Sequence, residues 1–218
     1  MSRVFVVTAA IVLLATCSAA QASTYNLATD FSADANPNGV WSYGGKERIE
    51  GAPVGAFLLA TVAYSGGLPY GGGYFGWNDG LNSAWKNVDG PGSPYGIGIG
   101  QVSISSDSSA TSTVRWTAPK EGTIDLDGYF GWGDYGVGHR GVFFNNTQQF
   151  GETSSPAYSF STTLAVSTGD FIDLTVWDGG AGGNTPVDAT ITYVPEPTTM
   201  VTLAVGSLSL LLRRKRRA

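Results

Sequence analysis

The stretch that decides the fold class lies in the middle of the 218-residue chain and reads Val114-Arg115-Trp116-Thr117-Ala118-Pro119-Lys120-Glu121-Gly122-Thr123-Ile124-Asp125-Leu126-Asp127. Ile124 and Leu126 alternate with Asp125 and Asp127, so one side of the segment is apolar and the other is polar. This pattern is typical of a strand in an antiparallel sheet that has one face in water. The segment therefore predicts a strand that ends in an aromatic residue, an Ala-Pro turn and a second, half-buried strand.

The rest of the chain has a similar residue pattern, in which short runs of β-branched and aromatic residues alternate with Gly, Pro, Asn, Asp and Ser. The pattern predicts eight strands, at residues 54–64, 100–105, 112–117, 122–130, 141–145, 158–166, 171–177 and 188–194. We expect 54–64 to be buried on both faces, and 171–177 to bury only the face that carries Ile172, Leu174 and Val176. The prediction is an all-β fold, a two-sheet antiparallel β-sandwich of jelly-roll type.

A family resemblance supports this prediction. The segment 114–126, together with strand-and-turn patterns at 141–146, 164–173 and 188–192, resembles the galactose-binding-like jelly rolls that many carbohydrate-binding modules use. The resemblance implies a fold more than an activity. It also implies a structural calcium ion near the chain ends of the domain, where Asp30 and Asp188 occupy the comparable positions.

The N-terminal end has the three parts of a secretory signal peptide. Arg3 is followed by an apolar run over 4–14, which is too short to cross a bilayer, and Ala20 and Ala22 form a small-x-small cleavage site. We expect residues 1–22 to form a signal helix that a secretion signal peptidase removes. The alternatives are an N-terminal core helix and lipid attachment at Cys17. If cleavage follows Ala22, no cysteine remains for disulfides or thiolate metal sites.

The C-terminal end resembles the PEP-CTERM sorting signal of Gram-negative bacteria. The motif Pro195-Glu196-Pro197 precedes an uncharged stretch over 198–212, which we expect to be helical, and a basic end made of Arg213, Arg214, Lys215, Arg216 and Arg217. A basic end stays in the cytoplasm, so the body faces outward. The resemblance implies that residues 195–218 are processed by an exosortase-type membrane protease on the way to the cell surface or the exopolysaccharide matrix. A simple membrane anchor is the alternative.

Residues 23–194 are long enough for one ordinary domain. They carry 16 acidic and 6 basic side chains, because half of the basic residues lie in the two ends. A net charge of −10 repels the phosphates of nucleic acids, so nucleic-acid binding is excluded.

The candidates for catalysis are few. His139 is the sole histidine and sits in a Gly-rich loop without a nucleophile elbow, and a three-histidine zinc site is excluded. Asp125 and Asp127 are two residues apart on one strand face, but any solvated strand produces such a pair. We therefore expect no catalytic residues; a secreted polysaccharide-acting hydrolase is the alternative.

Aromatic residues are the strongest binding candidates. Sugar rings stack on Trp and Tyr, while nearby polar side chains bond the hydroxyl groups. Trp77, Trp85, Trp132 and Tyr135 have such polar neighbours in two regions, 66–100 and 131–141, that we expect to be long loops. Trp116 and Trp177, on predicted strands, are expected in the core. The sequence thus predicts a non-catalytic structural or carbohydrate-associated protein of the cell envelope or extracellular matrix.

Overall fold

The computed structural model describes residues 22–49, 51–67, 73–78, 82–89, 94–106, 111–134, 138–152, 157–177 and 183–194. Within these ranges the chain forms fourteen β-strands, one short α-helix and one 3-10 turn. In chain order they are β1 Thr24–Asn26, α1 Leu27–Asp30, β2 Trp41–Lys46, β3 Phe57–Leu59, β4 Val62–Gly67, β5 Gly73–Asn78, β6 Asn82–Asn87, the 3-10 turn Pro94–Gly96, β7 Val102–Ser106, β8 Thr111–Thr117, β9 Gly122–Phe130, β10 His139–Phe144, β11 Thr147–Glu152, β12 Tyr158–Val166, β13 Phe171–Trp177 and β14 Asn184–Tyr193.

The strands form two antiparallel sheets. The eight-stranded sheet has the order β12-β9-β14-β7-β6-β5-β4, with β1 added beside β14, and the six-stranded sheet has the order β11-β10-β13-β8-β2-β3. The predicted all-β sandwich is confirmed. The two predicted end helices lie outside the described residues, and the described part of the chain contains no helix that is long and apolar enough to cross a membrane.

The core lies between the sheets within the compact unit Thr24–Tyr193. Ile124 and Leu126 of β9 are fully buried, while Asp127 is exposed, which confirms the predicted alternation. The six-stranded sheet contributes large side chains such as Trp41 and Trp116. Trp177 is also buried, as predicted, although it lies on the outer face of its sheet, opposite His139.

Residues 54–64 do not form one buried strand, so that prediction is wrong. The chain forms β3 at the edge of the six-stranded sheet, crosses at Ala60 and Thr61, and continues as β4 at the edge of the eight-stranded sheet. An edge strand has one strand neighbour, so its apolar side chains are not covered on all sides. Leu58 and Val62 are accordingly about half exposed.

Strand β13 is also buried differently from the prediction. Its second face, with Asp173 and Thr175, is as inaccessible as the face with Leu174. The carboxylate of Asp173 tolerates this position because Lys46 Nζ lies 2.7 Å from Oδ2 and Arg115 Nε lies 2.7 Å from Oδ1. The prediction of a long loop over residues 66–100 is also wrong in part, because β5 and β6 form strands of the eight-stranded sheet there.

Candidate functional site

The structure separates the predicted sugar-contacting aromatics into two groups. Trp77 is 8% exposed in the main core, and its indole N–H donates to the Ser32 carbonyl at 2.7 Å. Trp85 is 5% exposed, whereas Trp132 is 55% exposed. Tyr135 lies outside the described residues. The three tryptophans therefore do not converge on one exposed groove, and Trp132 is the one whose ring is open to solvent.

An aromatic row crosses the outer face of the eight-stranded sheet. Ring centroids lie 5.3 Å apart for Tyr64 and Tyr74, 5.5 Å apart for Tyr74 and Trp85, and 6.5 Å apart for Trp85 and Tyr95. All three pairs meet edge to face, an arrangement that the ring quadrupoles favour. The row ends at Tyr95, whose ring is 45% exposed. Tyr95 lies in the region 66–100 that the sequence predicts as a long loop, and no sequence signal singles it out.

Trp85 is buried because a loop folds over it. Ile97, directly after the 3-10 turn, is fully buried and clusters with Trp85. Asn87 holds this loop, since its Nδ2 donates to the Ile97 carbonyl at 2.9 Å and its backbone carbonyl accepts from Gly100 N at 2.8 Å. Trp85 is thus a support for the loop rather than a surface for a ligand.

A second set of hydrogen bonds ties this support to the loop that carries Trp132. Trp85 Nε1 donates to Asn184 Oδ1 at 3.2 Å. Asn184 in turn donates from its backbone N to Asp134 Oδ1 at 2.8 Å and from Nδ2 to Asp134 Oδ2 at 3.2 Å. Residues 131–134 are therefore held against the start of β14.

Two glycines bring the loops into backbone contact. A Cβ added to Gly96 would meet the Gly133 carbonyl oxygen, and one added to Gly133 would meet that of Asn184, so both positions require glycine. Tyr95 and Trp132 each precede one of these glycines. We call Tyr95, Trp132, Asp134 and Asn184 the Tyr95–Trp132 cluster. It combines two exposed aromatic rings with a carboxylate and an amide on a braced scaffold.

The chain segments that form the surface around the cluster are acidic or neutral, whereas the cation Arg140, which donates to the Gly131 carbonyl, is buried beneath residue 131. The chain segments 88–101, 131–138 and 178–184 contain Asp89, Asp134 and Asp178 as their charged residues and no Lys or Arg. Nearby on the same sheet face, burial raises the pKa of Tyr129, whose hydroxyl accepts from Gln101 Nε2 at 3.1 Å. Burial also raises the pKa of Tyr64 at the other end of the aromatic row. These phenols stay neutral at physiological pH.

The structure does not bring the catalytic candidates together. His139 lies in β10 of the six-stranded sheet and stacks on Trp177 with ring centroids 5.2 Å apart and an interplanar angle of 16°. Asp125 and Asp127 lie in β9 of the other sheet, where Asp125 Oδ1 accepts from Thr163 Oγ1 at 2.6 Å. A charge relay that links His139 to either carboxylate is therefore not formed.

Asp30 and Asp188, the calcium candidates, do meet around Asn26. Asp30 Oδ2 accepts from Asn26 N at 3.0 Å and from Trp41 Nε1 at 3.2 Å. Asp188 Oδ1 accepts from Ala28 N at 3.0 Å and Ala189 N at 2.9 Å, and both its oxygens accept from Asn26 Nδ2. These donors hold Asp30 Oδ2 and both oxygens of Asp188, while Asp30 Oδ1 accepts from Thr29 Oγ1 at 3.3 Å. The two residues therefore anchor α1, and a calcium ion at Asp30 and Asp188 stays a prediction from the sequence.

No cluster of three or more metal-ligating side chains is present among the described residues. The buried ion cluster of Lys46, Asp173 and Arg115 was not predicted from the sequence. In the sequence, Asp173 is one polar position in an alternating strand pattern. Its partners Lys46 and Arg115 are 127 and 58 residues away along the chain, so no local pattern indicates the ion cluster.

Comparisons with known proteins identify the C-terminal segment. Residues 194–217 match the PEP-CTERM protein-sorting motif. The chain thus carries this sorting signal, as the sequence indicated. No curated protein matches the sequence.

Carbohydrate-binding modules are among the structural neighbours. A family 35 module from Clostridium thermocellum has 12% identity and a TM-score of 0.31, over 60% of this chain and 98% of the module. A CBM35 from Paenibacillus barcinonensis has 16% identity and a TM-score of 0.29, over 79% and 99%. A β-glucosidase from Kluyveromyces marxianus has 10% identity and a TM-score of 0.29, over 44% of this chain and 11% of the enzyme. Scores of this size carry no argument about a ligand.

Proposed function

We propose that this exported protein binds carbohydrate through the Tyr95–Trp132 cluster and does not catalyse a reaction. One observation carries the proposal: Trp132 is the exposed tryptophan among five buried ones, and it lies beside polar groups on a loop that hydrogen bonds and two glycine contacts hold in place. An exposed indole in water gains from contact with the apolar face of a sugar ring.

The chemistry of the cluster suits a sugar. Tyr95 and Trp132 offer two ring faces, while Asp134 and Asn184 are within the same loops to accept from or donate to hydroxyl groups. Because Trp85 and Ile97 support the loop from below, little conformational entropy is lost when a ligand binds.

The absence of Lys and Arg from the segments 88–101, 131–138 and 178–184 favours an uncharged glycan. A uronate or sulfated polymer would approach a body of net charge −10, and the cation against this loop, Arg140, is fully buried with Nη1 donating to the Gly131 carbonyl at 3.2 Å. We therefore expect neutral polysaccharides to bind better than acidic ones.

The sorting motif supports a location outside the cytoplasm for this binding. Its presence at 194–217 supports export, with removal of residues 1–22 by signal peptidase and recognition of Pro195-Glu196-Pro197 by an exosortase-type protease. We propose that the β-sandwich then resides at the cell surface or in the extracellular matrix, where exopolysaccharide is the available ligand.

Affinity electrophoresis of residues 23–194 in gels that contain neutral or acidic polysaccharides tests the binding. Retardation in a neutral glycan should be lost in Trp132→Ala and weakened in Tyr95→Ala. Ile49→Ala removes an equally exposed apolar side chain elsewhere and should not change it. The same samples are assayed for released reducing sugar. No retardation in any glycan would contradict the binding, and turnover that Asp→Asn variants abolish would favour the hydrolase.

A further inference from the structure

One side of the sandwich is open at the edges of both sheets. Strand β3 ends the six-stranded sheet, β4 ends the eight-stranded sheet, and the two strands are consecutive in the chain. Each has one neighbouring strand among the described residues, β2 for β3 and β5 for β4. We call β3 and β4, with their exposed side chains Leu58, Leu59 and Val62, the open edge.

Strand β4, unlike the three-residue β3, lacks the features that keep an edge strand from pairing with another strand. Natural sheets protect their edges with Lys, Pro, bulges or short polar strands, because unpaired N–H and C=O groups are a template for another strand. The segment 57–67 contains no Lys, Arg or Pro, and the β4–β5 register runs without a shift. Leu58 is 50% exposed and Val62 is 56% exposed.

The opposite side of the sandwich is different. Its edge strands are β11 and β12, where the exposed side chains include Gln148, Gln149, Ser161 and Thr163. The contrast within one molecule shows that apolar exposure is a property of the open edge rather than of all edges. Exposed apolar residues gathered in this way are characteristic of an interface.

Charge indicates what occupies the open edge. Residues 51–78 contain no charged side chain, while residues 23–194 as a whole carry a net charge of −10. Two copies of such a molecule repel each other over most of their surfaces, and the repulsion is smallest where two neutral segments meet. A basic partner, in contrast, would be drawn to the acidic surfaces and away from this edge.

The space behind β4 adds to this argument. A cleft of about 490 Å³ opens there, lined on β4 by Ala63 and Ser65, on β5 by Phe75 and on the loop after α1 by Phe31 and by Asp34, which is the charged residue of the lining. Side chains at the edge of an approaching strand therefore have room beside β4, which is not packed tightly on its inner side.

From these observations we infer that the open edge is a homodimer interface, in which β4 pairs antiparallel with β4 of a second copy. Antiparallel self-pairing is two-fold symmetric, so the same patch serves both copies and the contact closes at two. The pairing continues the eight-stranded sheet across the dimer and covers Val62 on both copies. The Tyr95–Trp132 cluster is on other loops, so a dimer presents two such clusters and gains avidity for a polymer.

Sedimentation equilibrium of residues 23–194 tests the inference, after cooperative thermal unfolding has shown that this piece is folded. The wild type should dimerise reversibly. Val62→Lys places a charge on the edge of β4 and should weaken dimerisation by at least about tenfold. Ile99→Lys changes an equally exposed apolar residue outside both sheets and should leave the dimer intact.

Cysteine cross-linking gives a second readout, because residues 23–194 contain no cysteine. Only the residue at the two-fold axis lies opposite its own copy, so one position in a scan of single cysteines across 62–67 should form a disulfide-linked dimer on mild oxidation. Ile99→Cys should not form one. A wild type that stays monomeric at the highest soluble concentration overturns the inference, as does a dimer that Val62→Lys leaves unchanged. Glycan binding by Trp132 is measured separately, so either proposal can fail alone.

Discussion

The change Asp173→Asn removes the carboxylate that neutralises two cations inside the six-stranded sheet. Lys46 Nζ and Asp173 are both inaccessible to solvent, and Arg115 is 17% exposed between the rings of Phe57 and Phe171. Without the carboxylate, the ammonium group of Lys46 keeps its hydrogen bond to Asn146 Oδ1 at 2.6 Å. Asparagine preserves the shape of the side chain, so the change isolates the charge.

The expected loss follows from the burial. Removing one partner of a fully buried ion pair lowers the free energy of unfolding by about 3–5 kcal/mol, because the other charge stays in the interior without compensation. For a domain of this size the loss corresponds to a decrease in Tm of about 6–20 °C. The control Asp125→Asn removes a partly exposed carboxylate that accepts one bond from Thr163, and should cost less than about 1 kcal/mol.

The pH dependence of Asp173→Asn sharpens the test. Burial lowers the pKa of Lys46, and the attraction of Asp173 opposes that effect, so removal of Asp173 lowers the pKa further. A lysine whose pKa is lower in the folded state binds fewer protons when folded, and stability then rises with pH up to the unfolded value of about 10.4. The variant should therefore recover part of its deficit as pH rises.

Thermal and urea unfolding of the two Asp→Asn variants across pH measure these effects. The paired change Lys46→Met with Asp173→Leu should recover most of the loss, because an apolar pair needs no desolvation of charge. A decrease in Tm for Asp173→Asn no larger than that for Asp125→Asn, or no recovery at alkaline pH, would refute the reasoning.

Three further results are expected. The backbone N–H of Ser167 and the amide of Asn145 lower the pKa of Asp170, so its stabilisation is present at neutral pH and is lost as pH falls below about 4; Asp170→Asn should lower Tm near neutral pH and not in acid, and equal shifts at both would contradict this. Burial raises the pKa values of Tyr64 and Tyr129, so stability is lost as pH rises above about 10 and tyrosinate absorbance should show these phenols ionising with unfolding; early ionisation in the folded state would contradict their burial. Because N–H donors already hold Asp30 Oδ2 and Asp188 Oδ1, a chelator should leave Tm unchanged, and a decrease that added Ca²⁺ reverses would establish the calcium site.

The sequence predicted the elements whose signal is local. The predicted bounds of β9 and β12 match those in the structure. In β9, Ile124 and Leu126 alternate with polar residues because one face of the strand is exposed to solvent. Several strands of this kind predict the sandwich. The sorting signal was also found, since its motif, apolar run and basic end are contiguous in the chain. Local patterns are informative where a strand has one wet face.

The elements that were missed depend on contacts distant in sequence. β5 contains Gly76 opposite Trp85, where a Cβ would collide with the neighbouring strand, and this glycine made a strand look like a loop. The sequence predicts Trp85 in an exposed loop because Ile97, in the segment that covers it, follows twelve residues later and leaves no periodic signal. Asp173 looked solvated because its partners lie on β2 and β8.

The central claim, that glycan contacts Trp132 in the Tyr95–Trp132 cluster, is tested most directly by NMR of residues 23–194 with isotope-labelled tryptophan. All six tryptophans are among the described residues, and five of them are buried, so each indole N–H signal reports on a distinct environment. During titration with a neutral oligosaccharide, the signal assigned to Trp132 by Trp132→Phe should shift most, with a smaller change at Trp85 through Asn184 and none at Trp41 or Trp116. Shifts at the buried tryptophans without one at Trp132, or no shift with any glycan, would contradict the account.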